Sequence, residues 1–245
     1  MTETFTLLIC AHLLTDFAFQ SNGMAQDKAR RRPAALAAHL AILAALSALV
    51  LAQLSREGLI ALALVVIAHL VIDLAKSFAR PTLTAFVLDQ TAHLAATVAI
   101  AALFPTLWAQ SFWAGQVWLP GALTLIAGAV LTVRAGGFAV GLLMARFGAD
   151  APPEGLPEGG RLIGQLERGV IFLLVLAGQP SAIGFLIAAK SILRFEAVSK
   201  GGANPKSEYV IIGTLASFGW ALAATYATQA LLNALPPLGI LPAPN

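Results

Sequence analysis

The chain has 245 residues, of which 58% are hydrophobic and only 11% are charged. One soluble domain of this length does not bury that much apolar surface, so the composition predicts an all-α, polytopic membrane protein. The net charge of +3 does not indicate a nucleic-acid-binding protein, because the basic residues cluster at the ends of apolar runs and no motif that reads DNA or RNA is present.

Apolar runs long enough to cross a bilayer follow one another along the chain. A spanning helix needs roughly 20 mostly apolar residues, and about 17 to 25 are tolerated. Such runs occur at residues 4–20, 34–54, 58–79, 83–104, 121–147, 161–179, 181–196 and 208–234. The first run lacks the basic leader of a signal peptide, so it is interpreted as a retained span. The sequence therefore predicts a transmembrane helix bundle of about eight spans.

Composition divides the chain into three segments. Residues 1–104 hold the first four spans, and residues 160–245 hold the C-terminal membrane helices. The segment between them, 105–159, contains the fifth span, a loop rich in proline, glycine and glutamate, and aromatic side chains of the kind found at membrane interfaces.

Basic residues predict the orientation of these spans. The loop between the first and second runs contains Lys28, Arg30, Arg31 and Arg32. The positive-inside rule places this loop in the cytoplasm, and alternation then puts both termini outside. We therefore expect a multi-pass protein whose main partner is the lipid bilayer.

All four histidines of the chain occur in the tripeptide Ala-His-Leu, at His12, His39, His69 and His93. Three aspartates stand four residues from a histidine, namely Asp16, Asp73 and Asp89. Spans one and two thus repeat as spans three and four in the same orientation, which predicts a tandem hairpin repeat about an axis along the membrane normal. With a rise of about 1.5 Å per residue, all seven groups fall roughly 5 to 18 Å from the cytoplasmic surface.

A layer of histidine and aspartate inside apolar spans favours a functional site, because ionisable groups are costly there. A spacing of four puts both side chains on one helix face, where they suit one ion or two adjacent ions. Zinc, manganese and iron all accept such ligands. Two other interpretations remain open: the layer relays protons or cations in a carrier, or it forms interhelical hydrogen bonds in a non-catalytic scaffold.

Charges in the C-terminal half predict an anion-binding group beside this layer. The residues are Arg161, Glu167, Arg168, Lys190 and Arg194. Arginine and lysine suit a phosphorylated or other anionic substrate. The alternative for the cations is anchoring at the membrane surface, and the alternative for Glu167 is an ion pair with Lys190 or Arg194 that joins two helices.

Two resemblances bear on function. The pattern formed by His12 to Gln20, Lys28, His39, His69-x-x-x-Asp73-x-x-Lys76 and Asp89-Gln90-x-x-His93 resembles a bacterial integral-membrane family known as a domain of unknown function (DUF3307). The string from Gly160 to Arg168 and the residues around Lys190 and Gly213 are similar to the longer members of that family. This resemblance implies a location in the bacterial inner membrane and no particular activity. The His-x-x-x-Asp pairs also resemble those of membrane-bound proteins described as metal-dependent hydrolases, whose remaining motifs are not matched.

The leading hypothesis is accordingly a membrane-embedded, metal-dependent hydrolase of a phosphorylated or lipid-linked substrate. The four histidines and three aspartates would hold a divalent transition metal, with Asp16, Asp73 and Asp89 also activating water. A proton- or cation-coupled carrier that uses the same layer is the alternative, followed by the scaffold.

Overall fold

The computed structural model describes residues 1–147, 158–198 and 205–238, while the side chains of residues 191–207 lie outside this description. Within these ranges the chain is helical and contains no β-strand, which confirms the all-α prediction. Two compact units are present. The first comprises residues 1–130 and 231–238, and the second comprises residues 131–230.

The first unit contains six α-helices. They are α1 (Thr2–Leu14), α2 (Asn22–Ala29), α3 (Pro33–Leu51), α4 (Arg56–Lys76), α5 (Leu83–Leu103) and α6 (Leu119–Ala129). A π-helical turn, Thr15–Phe19, continues α1. Helix α1 packs against α3, α5 and α6, so it is the central helix of this unit.

Local sequence explains where these helices begin. The side chains of Ser21, Ser55 and Thr82 accept hydrogen bonds from backbone N–H groups three residues further on, at the starts of α2, α4 and α5. Such caps satisfy N–H groups that have no partner within the helix. Helix α3 begins instead with Pro33, whose fixed φ suits the first helical position.

Apolar packing occupies one part of the first unit. Its core contains Leu7, Leu8, Leu51, Ile100 and Leu107, each at most 6% exposed. Large apolar side chains also point outward from α3, α4 and α5, namely Leu49, Ile67, Val71 and Leu88. Apolar side chains on both the inner and the outer faces are typical of helices that lie in a bilayer.

The second unit contains the helices that follow α6 in the chain. A π-helical turn, Val130–Ala135, leads into α7 (Gly136–Met144) and a short 3₁₀ segment, Ala145–Phe147. Helices α8 (Gly159–Leu176), α9 (Ala182–Val198) and α10 (Pro205–Asn233) follow. Ile171, Val175, Ile183, Phe218 and Ala221 form its hydrophobic core.

Five helical stretches in the described ranges are long and apolar enough to cross a membrane. They are Pro33–Leu51, Arg56–Lys76, Leu83–Leu103, Leu119–Phe147 and Glu208–Asn233. This supports the predicted membrane protein and does not confirm eight spans. The predicted spans at 4–20, 161–179 and 181–196 correspond to α1 with its π-helical turn, α8 and α9, which fall outside these five.

Candidate metal centre

Four helices of the first unit bring all seven predicted metal ligands together. Helix α1 and its π-helical turn contribute His12 and Asp16, α3 contributes His39, α4 contributes His69 and Asp73, and α5 contributes Asp89 and His93. Every one of these side chains is at most 6% exposed. Neighbouring imidazole rings lie with centroids 4.3 to 5.4 Å apart, so the layer expected from the sequence is a single buried cluster.

Asp16 lies in the π-helical turn that continues α1. This turn covers Thr15–Phe19, and Asp16 Oδ1 lies 3.2 Å from His39 Nε2 on α3 and 3.4 Å from His69 Nε2 on α4. Single π-helical turns inside α-helices are often found at functional sites, and this one positions a carboxylate in the cluster.

Four side chains converge on one small volume, and we call them the four-ligand group: Asp16, His39, His69 and Asp73. The two Nε2 atoms are 2.9 Å apart. Asp73 Oδ2 lies 3.5 Å from His39 Nε2 and 3.4 Å from His69 Nε2, close to the corresponding distances for Asp16. Ligands of a tetrahedral ion with bonds of about 2.0 Å are separated by about 3.3 Å, and these five of the six separations within the group lie close to that value.

Two other histidines form a stacked pair beside this group. The rings of His12 and His93 lie 4.6 Å apart at 23°. Both are also close to His69, and one ring nitrogen from each of the three histidines falls within 4.8 Å of the others. Placing the first sequence repeat on the second superposes His12 on His69 and His39 on His93. The pair His12–His93 then takes the place of the pair His39–His69. This pairing is what the predicted repeat requires, although the repeat itself stays a prediction.

Two lysines neutralise part of the negative charge of the cluster. Lys28, on α2, places Nζ 2.6 Å from Asp73 Oδ2, and its side chain is only 11% exposed. Lys76, at the end of α4, places Nζ 2.5 Å from Asp89 Oδ2. From the sequence, Lys28 is expected only to orient the membrane spans, and Lys76 is not expected in the site. The position of Lys76, three residues after Asp73 on the same face of α4, could have indicated that it belongs to the site.

Gln90 is a further residue that sequence reasoning missed. Its amide nitrogen donates to Asp89 Oδ2 at 2.9 Å and lies 3.5 Å from Asp16 Oδ2. Its oxygen lies 3.3 Å from His12 Nε2. This side chain therefore connects α1 and α5 and orients three of the predicted ligands.

The residues predicted to bind an anionic substrate belong to the second unit. Glu167 pairs with Lys190 at 2.5 Å, as the helix-joining alternative expected. Arg168 is 3% exposed and donates to the Val133 carbonyl oxygen and to Ser217 Oγ. Arg161 forms an exposed pair with Glu158, and the side chain of Arg194 lies outside the described residues. A role for these groups in binding substrate stays a prediction.

Fold and cluster together define an all-α protein with membrane-compatible helices and a buried histidine–aspartate site. Residues 4–119 match the family described as "Protein of unknown function (DUF3307)". The resemblance recognised in the sequence is confirmed over this segment, which contains all seven clustered histidines and aspartates. No curated protein and no solved structure matches the chain.

Proposed function

We propose that the first unit binds a divalent transition metal, namely zinc, manganese or iron, through the four-ligand group. The single observation that carries this proposal is the set of five distances, 2.9 to 3.5 Å, that join two imidazole Nε2 atoms to each other and to two carboxylate oxygens. Histidine and carboxylate ligands suit these three ions and do not distinguish between them.

The charge of the cluster supports an ion over simple helix-joining hydrogen bonds. Three carboxylates carry three negative charges, and Lys28 and Lys76 supply two positive charges. With neutral imidazoles, one negative charge is left without compensation among apolar helices, which is costly. A divalent cation would bind the carboxylates directly, whereas hydrogen bonds between helices contribute only about 1 kcal/mol each and leave the negative charge in place.

The activity that best fits such a site is hydrolysis of a phosphorylated or lipid-linked substrate. A bound divalent ion lowers the pKa of a coordinated water and stabilises charge on a phosphoryl oxygen. The oxygen of that water would form the new bond to phosphorus, the ester P–O bond would break, and the departing alcohol would take up a proton. Asp89 lies in the cluster and outside the four-ligand group, so we assign it to accept the proton of the attacking water.

Basic residues near the cluster support an anionic substrate. Arg31 donates to the carbonyl oxygen of Ser77, the residue that follows Lys76, and its guanidinium lies over the ring of Phe78. The arginine-rich 30–32 segment therefore lies against the α4–α5 loop, next to the lysine that binds Asp89. A concentration of positive charge there would attract phosphate groups at the membrane surface.

The proposed setting is the bacterial inner membrane, with the 28–32 loop in the cytoplasm and the cluster near the cytoplasmic face. The positive-inside rule supports this orientation. The eight-span count is part of the same proposal.

Metal content and hydrolysis should be measured on the same purified protein. We expect metal-replete purification to give at least one ion per chain, and His69→Ala to lose that ion while the protein stays folded. Asp27→Asn is the matched control, since Asp27 pairs with Arg32 on the exposed surface and does not contact the cluster. Vesicles containing the protein and a lipid phosphate monoester should release phosphate, and a chelator should abolish the release. Wild-type protein without stoichiometric metal would exclude this function.

A carrier is the second candidate, and one chain of contacts favours it. Lys76, whose side chain is 41% exposed, contacts Asp89, and Asp89 is bonded through Gln90 to His12 and Asp16. Such a path from a half-exposed amine to buried imidazoles suits proton transfer. In that case His69→Ala would abolish pH-dependent uptake into vesicles, and the wild-type protein would release no phosphate.

A further inference from the structure

The stacked histidines outside the four-ligand group have hydrogen bonds that determine which of their nitrogens carries a proton. His93 Nδ1 lies 3.0 Å from the backbone carbonyl oxygen of Asp89. A carbonyl oxygen only accepts, so Nδ1 carries the hydrogen, and in the neutral ring Nε2 carries the lone pair. His93 Nε2 is buried and has no hydrogen-bond partner among the described residues.

The same reasoning applies to His12, through Gln90. Because the Gln90 amide nitrogen donates to Asp89, its oxygen is the atom that faces His12 Nε2. His12 Nε2 therefore donates, and the lone pair resides on Nδ1. That atom, too, is buried without a hydrogen-bond partner in the described part of the chain.

Two buried lone pairs without donors are costly, because each has given up hydrogen bonds to water. Histidines that bind metals show the same arrangement, with one ring N–H donated to a carbonyl or amide oxygen and the other nitrogen free for the ion. The hydrogen bonds of His12 and His93 thus orient both rings as metal ligands.

A cavity adjoins these two histidines. It is lined by His12, His69 and His93 together with Thr97 and aliphatic side chains, and its volume is about 20 Å³. That space holds one water-sized particle. The Thr97 hydroxyl already donates to the carbonyl oxygen of His93, so the imidazoles are the main polar partners of a particle placed there.

We propose that His12 and His93 hold a second divalent ion next to the first, which makes the site a two-metal centre. This inference rests on the proposed function, since it assumes that the four-ligand group holds the first ion. His69 contacts His39 on one side and lies 4.3 Å from the His93 ring on the other, so it lies beside both positions. Paired ions about 3.5 to 4 Å apart are common in phosphatases and nucleases, where they act on both the attacking and the departing oxygen. A phosphate ester is therefore the substrate class that this centre fits.

Manganese provides a probe that counts ions and detects their proximity. Chelated protein in detergent is reloaded with Mn²⁺, bound manganese is counted, and the electron paramagnetic resonance spectrum is recorded. We expect two ions per chain with an exchange-coupled spectrum. His93→Phe and, independently, His12→Phe should each reduce the count to one and restore the six-line spectrum of an isolated ion, while Asp27→Asn keeps two coupled ions.

The outcomes separate this inference from the proposed function. One ion in the wild-type protein, or two ions that persist in folded His12→Phe and His93→Phe variants, would overturn the second site and leave the first intact. No bound ion in the wild-type protein would overturn both. Since the wild-type count and coupling need no substitution, the test does not depend on the stability of either variant.

Discussion

Replacing Lys28 by methionine should tighten metal binding while it destabilises the metal-free protein. The Lys28 ammonium lies 2.6 Å from Asp73 Oδ2, one of the oxygens that we assign to the ion, and the two side chains are 11% and 3% exposed. Removing one partner of a buried ion pair costs about 3 to 5 kcal/mol. Methionine keeps an unbranched side chain that is one atom shorter, so the variant loses the charge and the hydrogen bond from the ammonium to Gln20 Oε1.

The free energy that the metal-free variant loses with the ion pair should be regained when the metal binds, which raises the metal affinity. In the variant, an ion supplies the counter-charge that Asp73 has lost, so the penalty is relieved on binding. A difference of about 3 kcal/mol corresponds to an affinity roughly 100-fold higher. We therefore expect chelated Lys28→Met protein to have a lower Tm than the wild type, and a larger rise in Tm when zinc is added.

Thermal unfolding in detergent, with and without zinc, measures the change in Tm. A competition titration against a zinc chelator measures the change in zinc affinity. Arg32→Met is the control, because the Arg32–Asp27 pair is exposed and such pairs contribute only about 0 to 1 kcal/mol. The claim that the ammonium and the ion compete for Asp73 makes a clear demand on the folded Lys28→Met variant. A zinc affinity equal to or below that of the wild type would refute it.

Two further predictions concern other parts of the chain. Gly136→Ala should lower the free energy of unfolding by about 1 to 3 kcal/mol, because its Cβ would lie 2.5 Å from Trp220 Cδ1. Gly141→Ala, on the same helix, should not lower it, because the added Cβ would lie in open space. Calorimetry of both variants in detergent checks this, and equal stability would contradict it. Single cysteines in the 28–32 loop, introduced after replacement of Cys10, should resist an impermeant reagent in intact cells; labelling from outside would reverse the proposed orientation.

The convergence of the ligands could be predicted because it depends on depth and periodicity alone. Similar positions along the predicted spans and a spacing of four residues are enough to predict that His69, Asp73 and His93 share one layer. The burial of all seven side chains follows from the same reasoning, since ionisable groups in spanning helices face the interior of the bundle.

The contacts within the cluster could not be predicted, because they depend on tertiary structure. No residue pattern in the sequence predicts the π-helical turn in which Asp16 lies. Lys28 has the sequence context of a surface anchor, but α2 positions it so that its amine reaches Asp73 and the side-chain oxygen of Gln20. Whether a lysine extends toward water or folds inward is decided by such packing.

Arg168 shows the same limit in the second unit. Its depth in an apolar run makes it unusual, and the sequence predicts a role for it in binding an anionic substrate. In the structure its guanidinium is bonded to the Val133 carbonyl oxygen and to Ser217, residues that are distant in sequence. Only the packed helices reveal partners of this kind.

The central claim is that an ion lies between Asp16, His39, His69 and Asp73, and anomalous diffraction tests it most directly. Crystals of zinc-loaded protein, measured above and below the zinc absorption edge, should give an anomalous difference peak about 2.0 Å from one side-chain atom of each of these four residues. Zinc-loaded protein without a peak within this group would contradict the assignment, whether or not a second peak lies beside His12 and His93.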